Sequence, residues 1–155
     1  MRTLAIIGSG DLGQQIAHFA ISDNHYEKVV FFDDFTQEKS VGGFTIIGKS
    51  SDVEQKFKEN RFDELIIAIG YNHMSTRTNI YKRFQDEIPF GRIIHSTSHV
   101  DVTAKIAEGV VIYPACVIDA YVEIEANVLI NIGSLVAHHS IVGAHSFLSP
   151  RVAIA

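Results

Sequence analysis

Residues 100–155 read VDVTAKIAEGVVIYPACVIDAYVEIEANVLINIGSLVAHHSIVGAHSFLSPRVAIA. Within them Val100, Ile106, Ile112, Ile118, Ile124, Ile130, Val136, Val142, Leu148 and Ile154 stand six apart without a break. An amphipathic helix repeats near 3.6 residues and a half-buried strand at 2, so neither fits. A fixed short period marks a solenoid, and a period of six predicts a parallel β-helix with three short strands per coil. The apolar series is expected to point into the prism. Four residues further on, each repeat has a small or modest residue: Ala104, Val110, Cys116, Val122, Val128, Ser134, Ser140, Ser146 and Val152. This second position is expected to let the chain turn the corners. The repeat breaks off at Ala155, two residues into a tenth hexad. An uncapped coil leaves backbone groups unpaired, so the β-helix is expected to be truncated at its C-terminus relative to a longer protein.

The charge distribution changes where the repeat begins. Of 31 charged side chains, 24 lie in residues 1–100 and 7 in residues 101–155, with no Lys or Arg between Lys105 and Arg151. Two segments are expected, residues 1–98 and residues 99–155. A net charge of −5 without a basic cluster argues against nucleic-acid binding, which needs cations for the phosphates. No apolar run approaches the ~18–20 residues of a membrane-spanning helix. A lone cysteine, Cys116, cannot form an internal disulfide, and a cytoplasmic location is the expectation.

Before the repeat, apolar runs alternate with amphipathic segments. Leu4-Ala5-Ile6-Ile7, Val29-Val30-Phe31-Phe32, Phe44-Thr45-Ile46-Ile47, Leu65-Ile66-Ile67-Ala68-Ile69 and Arg92-Ile93-Ile94-His95 read as strands. Helices are predicted after Gly13, from about Ser51 to Lys58, and from about Met74 to Gln85. Buried-type strands separated by helices predict a parallel sheet covered on both faces, a Rossmann-like α/β unit.

Gly8-x-Gly10-x-x-Gly13 lies between the first strand and the first helix, and Asp33 follows 20 residues after Gly13. Glycines there permit a tight turn and close backbone approach, and the helix N-terminus offers free N–H groups to a diphosphate. A carboxylate at the end of the second strand can accept from ribose hydroxyls. An ordinary glycine-rich turn is the plain alternative, but strand, helix and acid in register favour a nucleotide. Gly70-Tyr71-Asn72 is expected at the same sheet edge. The loop does not distinguish a dinucleotide from a nucleotide-sugar.

His138 and His139 occupy the third and fourth places of the hexad 136–141, and His145 the fourth place of the next. Nothing in the repeat requires imidazole there, whereas a base near neutral pH is suited to proton abstraction. A solvated surface pair is the bland alternative. No cysteine or carboxylate joins them at zinc-ligand spacing, so no metal is expected. Cys116, at an inward position, is not expected to be a nucleophile. His95 and His99 fall between the segments and receive no role.

Together, Ile7-Gly8-Ser9-Gly10-Asp11-Leu12-Gly13, Phe32-Asp33-Asp34, Ala68-Ile69-Gly70-Tyr71-Asn72 and Asn131-Ile132-Gly133-Ser134-Leu135-Val136-Ala137-His138 resemble a known family. The chain looks like the bacterial hexapeptide-repeat acyltransferases that N-acetylate nucleotide-linked amino sugars, with the related sialic-acid O-acetyltransferases. The resemblance implies a left-handed β-helix, acetyl-CoA as co-substrate and a homotrimer with active sites between subunits. It implies His138 as general base, with His139 as an orienting residue where the family often has an acid. It also implies a nucleotide held by Gly8, Gly10, Asp11, Leu12 and Gly13, by Asp33 or Asp34, and by Gly70, Tyr71 and Asn72. Family members often carry Gly-His in place of Asp11-Leu12, and their acetyl-CoA lies largely along later coils. The implied reaction is N-acetylation of a 4-amino sugar. O-acetylation of a sialic-acid-type sugar and a non-catalytic, nucleotide-sugar-binding trimeric scaffold are the alternatives.

Overall fold

In the computed structural model, which describes residues 2–155, the chain divides into two units at Gly91 and Arg92. The first unit contains β1 (Thr3–Ile7), α1 (Asp11–Ser22), β2 (Lys28–Phe32), β3 (Ser40–Val41) and β4 (Phe44–Gly48). It continues with α2 (Val53–Lys58), β5 (Glu64–Ile67) and α3 (Met74–Phe84). The sheet order is β3-β4-β2-β1-β5, with β4, β2, β1 and β5 parallel. All five residues of β1 are buried, as are Val29–Phe32 of β2, because helices or loops cover both faces. Connections run outward from β1 to β2 and β4, then return to β5 on the other side. The topological switch point therefore lies between β1 and β5, where open α/β sheets hold ligands.

One connection departs from helix–strand alternation. Between β2 and β4 the chain forms no helix but a loop and the short β3, antiparallel to β4. Gly42 and Gly43, at φ +55° and +84°, make the tight turn between them.

The second unit is a triangular prism of eleven two-residue strands. Its three parallel sheets run through 93–94, 111–112, 129–130 and 147–148; through 99–100, 117–118, 135–136 and 153–154; and through 105–106, 123–124 and 141–142. Each residue pairs with the one 18 positions on, as Ile118 does with Val136. Ile112, Ile118, Ile130 and Val136 are wholly buried, so the apolar series fills the interior as expected.

Two sequence expectations are corrected. The boundary is not at residues 98 and 99: Ile93–Ile94, expected to close the α/β series, pairs with Val111–Ile112 in the prism. Ile94 is six residues before Val100 and Ser98 takes the small position, so the repeat starts one hexad earlier. A two-isoleucine strand reads alike in either setting. Nor does the small residue turn the corner. That task falls to the residue before it: Gly109, Ala115, Tyr121, Asn127, Gly133, His139, His145 and Arg151 all have φ between +57° and +70°. The small residues Val110, Cys116, Val122, Val128 and Ser134 point inward and are buried, sharing the narrow interior with the large ones. Ser134 remains satisfied there: its hydroxyl donates to Ser149 O and accepts from Val152 N–H.

Candidate active site

At the C-terminal edge of the sheet, a cavity of about 600 Å³ opens at the switch point. Its floor is the turn after β1. Gly8 stands at φ +103°, where a Cβ would lie 2.7 Å from Ala68 O, so both conformation and close approach require glycine. Gly10 caps α1 without a side-chain bond, and the first helix amides have no intrahelical acceptor. A Cβ at Gly10 would meet nothing within 4 Å. Its emptiness is therefore on the ligand side, not a packing requirement.

Asp33 ties the surrounding loops together. Its Oδ2 accepts from the Ser9 amide at 2.9 Å and the Ser9 hydroxyl at 2.6 Å, and its Oδ1 from the Phe35 and Thr36 amides. Burial alone would raise its pKa, but the hydrogen bonds from Ser9, Phe35 and Thr36 outweigh it and hold the carboxyl below the ordinary value. Asp34 likewise accepts from the amide and hydroxyl of Ser50. From the other side, the fully buried Arg77 donates to the Ile67 and Ile69 carbonyls at 2.7 and 3.3 Å, fixing the end of β5.

Of the residues expected at this site, Gly8, Gly10, Asp33 and Gly70 line the cavity, and Asp34 lines a small adjoining recess. Gly13 lies buried beneath Gly8. Asp11 and Leu12 form the first turn of α1, while Tyr71 and Asn72 form an exposed 3-10 turn after Gly70. These four stand at the edge and do not line the cavity. Sequence reasoning missed Ser9, Phe35, Thr36, Ile69, His73 and Thr76 as lining residues. No spacing rule marks them, although Phe35 beside the acidic pair was a signal: an apolar residue where the chain leaves the sheet, now 94% exposed.

On the prism, His138 and His139 project from one corner, both exposed. Their Nδ1 atoms lie 3.1 Å apart and their rings meet edge to face. One coil below, Tyr121 packs its ring against His139, centroids 4.8 Å apart. His145 is on a different corner, its Nδ1 3.0 Å from Asn127 Nδ2. The Cys116 thiol is buried beside the Asn131 carbonyl, and burial pushes its pKa up, so it is a poor nucleophile. Among the described residues no cluster of His, Cys, Asp and Glu could hold a metal, and no helix is long and apolar enough to cross a membrane.

The family model of the PglD N-terminal domain matches residues 3–84, which include β1 to α3. This chain belongs to that family. Across both units it is similar to the acetyltransferase domain of PglB from Neisseria gonorrhoeae: 29% identical, TM-score 0.88, covering 97% of this chain and 72% of that one. The same domain has also been solved with acetyl coenzyme A, at 27% identity and TM-score 0.86, covering 96% of this chain and 71% of that one. A perosamine N-acetyltransferase from Caulobacter crescentus, solved with CoA and GDP-perosamine, shares the fold at 15% identity and TM-score 0.64, covering 100% and 92%. The architecture is that of the hexapeptide-repeat acetyltransferases, a Rossmann-like α/β domain followed by a left-handed β-helix. The protein is an enzyme of the acyltransferase class.

Proposed function

We propose that the protein transfers the acetyl group of acetyl-CoA to the 4-amino group of a nucleotide-linked sugar, with His138 as general base. The observation that carries this reading is an exposed imidazole whose Nδ1 is engaged by a neighbour, on the prism of an acetyltransferase fold. His138 Nε2 takes a proton from the amine as its nitrogen attacks the thioester carbonyl. The resulting oxyanion collapses, the C–S bond breaks, and the proton passes from His138 to the departing sulfur. Acetyl-CoA and the nucleotide-sugar are the two substrates, and the similarity to proteins solved with acetyl coenzyme A and with GDP-perosamine supports both.

The nucleotide belongs in the cavity at the switch point. The first amides of α1 and the space at Gly10 suit its diphosphate. Asp33 acts chiefly through Ser9, holding the loop in shape, and Asp34 and Gly70 border the nucleoside. Asp11, Leu12, Tyr71 and Asn72 form the rim. His139 orients His138. On one prism face, the outward side chains of Val117 and Leu135 are about 40% exposed, an apolar strip suited to another copy in a homotrimer. Use of acetyl-CoA puts the reaction in the cytoplasm.

The test is release of free thiol from acetyl-CoA by the purified protein, with UDP- and GDP-linked 4-amino sugars supplied in turn. Release that depends on the amino-sugar nucleotide supports the reading. Tight nucleotide-sugar binding without acetyl-CoA binding or thiol release would replace it with a scaffold.

A further inference from the structure

His138 and His139 touch through nitrogen atoms of the same kind, and this restricts their protonation. At 3.1 Å between Nδ1 atoms, one ring must donate and the other accept. If His138 accepts, its proton sits on Nε2, and the outer nitrogen becomes a donor unable to act as base. If His138 donates, its Nε2 carries the free lone pair. His139 must then present a bare Nδ1 and be neutral.

A base at His138 requires the second arrangement, and the surroundings hold the His139 ring where its Nδ1 can accept. Tyr121 lies 18 residues before His139, and its ring packs against the imidazole at 34° between planes. Tyr121 is itself anchored: its amide donates to Thr103 Oγ1 at 2.8 Å, and the Thr103 hydroxyl donates to Asp101 Oδ1 at 2.6 Å. The His139 amide donates to the Ala120 carbonyl at 3.0 Å. Both Tyr121 and His139 occupy left-handed corners, at φ +58° and +62°, where Gly109 and Gly133 stand in other coils. A bulky aromatic at such a corner carries a conformational cost. Lys105, Glu123 and Ile141 complete the groove beside this stack. Its carboxylate, Glu123, pairs with Lys105 Nζ at 2.7 Å.

We propose that His139, fixed by Tyr121, is a positioning residue whose bare Nδ1 accepts the Nδ1–H of His138 and so keeps His138 Nε2 free to act as base. This rests on the proposed role of His138 and adds the tautomers and a role for Tyr121. A neutral acceptor takes the place of a carboxylate, orienting the base and receiving its Nδ1–H more strongly once His138 becomes imidazolium.

The tautomers can be read without substrate. Long-range proton–nitrogen correlation spectra of the histidine-labelled protein should show His138 protonated on Nδ1 and His139 on Nε2. The opposite assignment, or rapid averaging in both rings, would overturn the proposal whether or not acetyl transfer is detected. Kinetics supply a second readout. His139→Ala should lower kcat about 10- to 100-fold with KM for both substrates unchanged, the scale on which outer partners of histidine ligands act. His139→Asn, whose side-chain oxygen accepts and whose backbone tolerates φ above zero, should recover most of the rate. Tyr121→Ala, which removes the ring that packs on His139, should lose several-fold in kcat. Equal kcat in His139→Ala and wild type would reject the positioning role. Loss of all transfer by every variant and by wild type would instead reject the acetyltransferase reading.

Discussion

The bare Cα of Gly13 faces the carbonyl oxygen of Gly8 so closely that a Cβ at position 13 would lie 1.9 Å from that oxygen. The turn after β1 and the first turn of α1 are therefore locked together, and two glycines of one motif serve different ends. Gly13→Ala forces helix and turn apart and should lower the melting temperature by several degrees or more. Gly10→Ala, at φ −67° with open space around its Cβ, should leave melting nearly unchanged while weakening nucleotide binding about tenfold or more in calorimetry. Equal affinity in Gly10→Ala and wild type would remove the diphosphate from this loop.

The Asp33 carboxylate links Ser9 to the Phe35–Thr36 turn, and its folded pKa is depressed. A depressed acid pKa contributes stability that is present above the unfolded value of about 3.9 and is lost as pH falls through the folded value. Melting curves taken from pH 6 down to 3 should show this loss, and Asp33→Asn should have a flatter acid limb in the same series. Identical acid limbs would mean that the carboxylate does not stabilise the loop.

Arg77 contributes to stability by holding backbone carbonyls, not by touching solvent. Arg77→Met preserves much of the buried bulk but removes charge-assisted bonds to Ile67 and Ile69. Chemical denaturation should show a loss of about 1.5–3 kcal/mol. Nucleotide affinity should fall as well, because Gly70 follows directly on the segment that Arg77 fixes.

His138→Ala should reduce turnover about 10²- to 10⁴-fold, the usual contribution of a general base. Thiol release followed by absorbance gives the ratio directly. A variant near the wild-type rate would require a base elsewhere.

Inside the prism, Ile118→Ala opens a void at a fully buried position and should cost about 2–5 kcal/mol. Val102→Ala, at a side chain 97% exposed, should change stability by less than about 0.5 kcal/mol. Similar losses at the two positions would contradict the assignment of inward and outward faces.

The prism was legible because one physical requirement, an apolar side chain facing a closed interior, recurs at every sixth residue. Its first hexad was not, because Ile93-Ile94 satisfies a buried sheet strand as well as a prism edge. Which residue turns the corner was also hidden. The conformation at Ala115, Tyr121 or Arg151 is left-handed without glycine or a shared side-chain type. Around the cavity, Gly8, Gly10 and Asp33 could be read because backbone approach and a carboxylate at fixed spacing leave a pattern. Thr36, His73 and Thr76 leave none, since their place depends on where loops return after the strands end. The Tyr121–His139 stack joins residues 18 apart and becomes visible only once the coil length is known.

That coil length acts as a ruler. Every side chain on the prism has a neighbour fixed at 18 positions before or after it, so Thr103, Tyr121 and His139 form a vertical column. Adding one residue within a strand would rotate every later side chain to the wrong face and move His139 off Tyr121. Adding a whole coil would shift nothing in the columns beneath it. Such a prism can lengthen in steps of 18 residues while the histidine pair keeps its surroundings unchanged, and a loop can enter only where a corner already leaves the lattice.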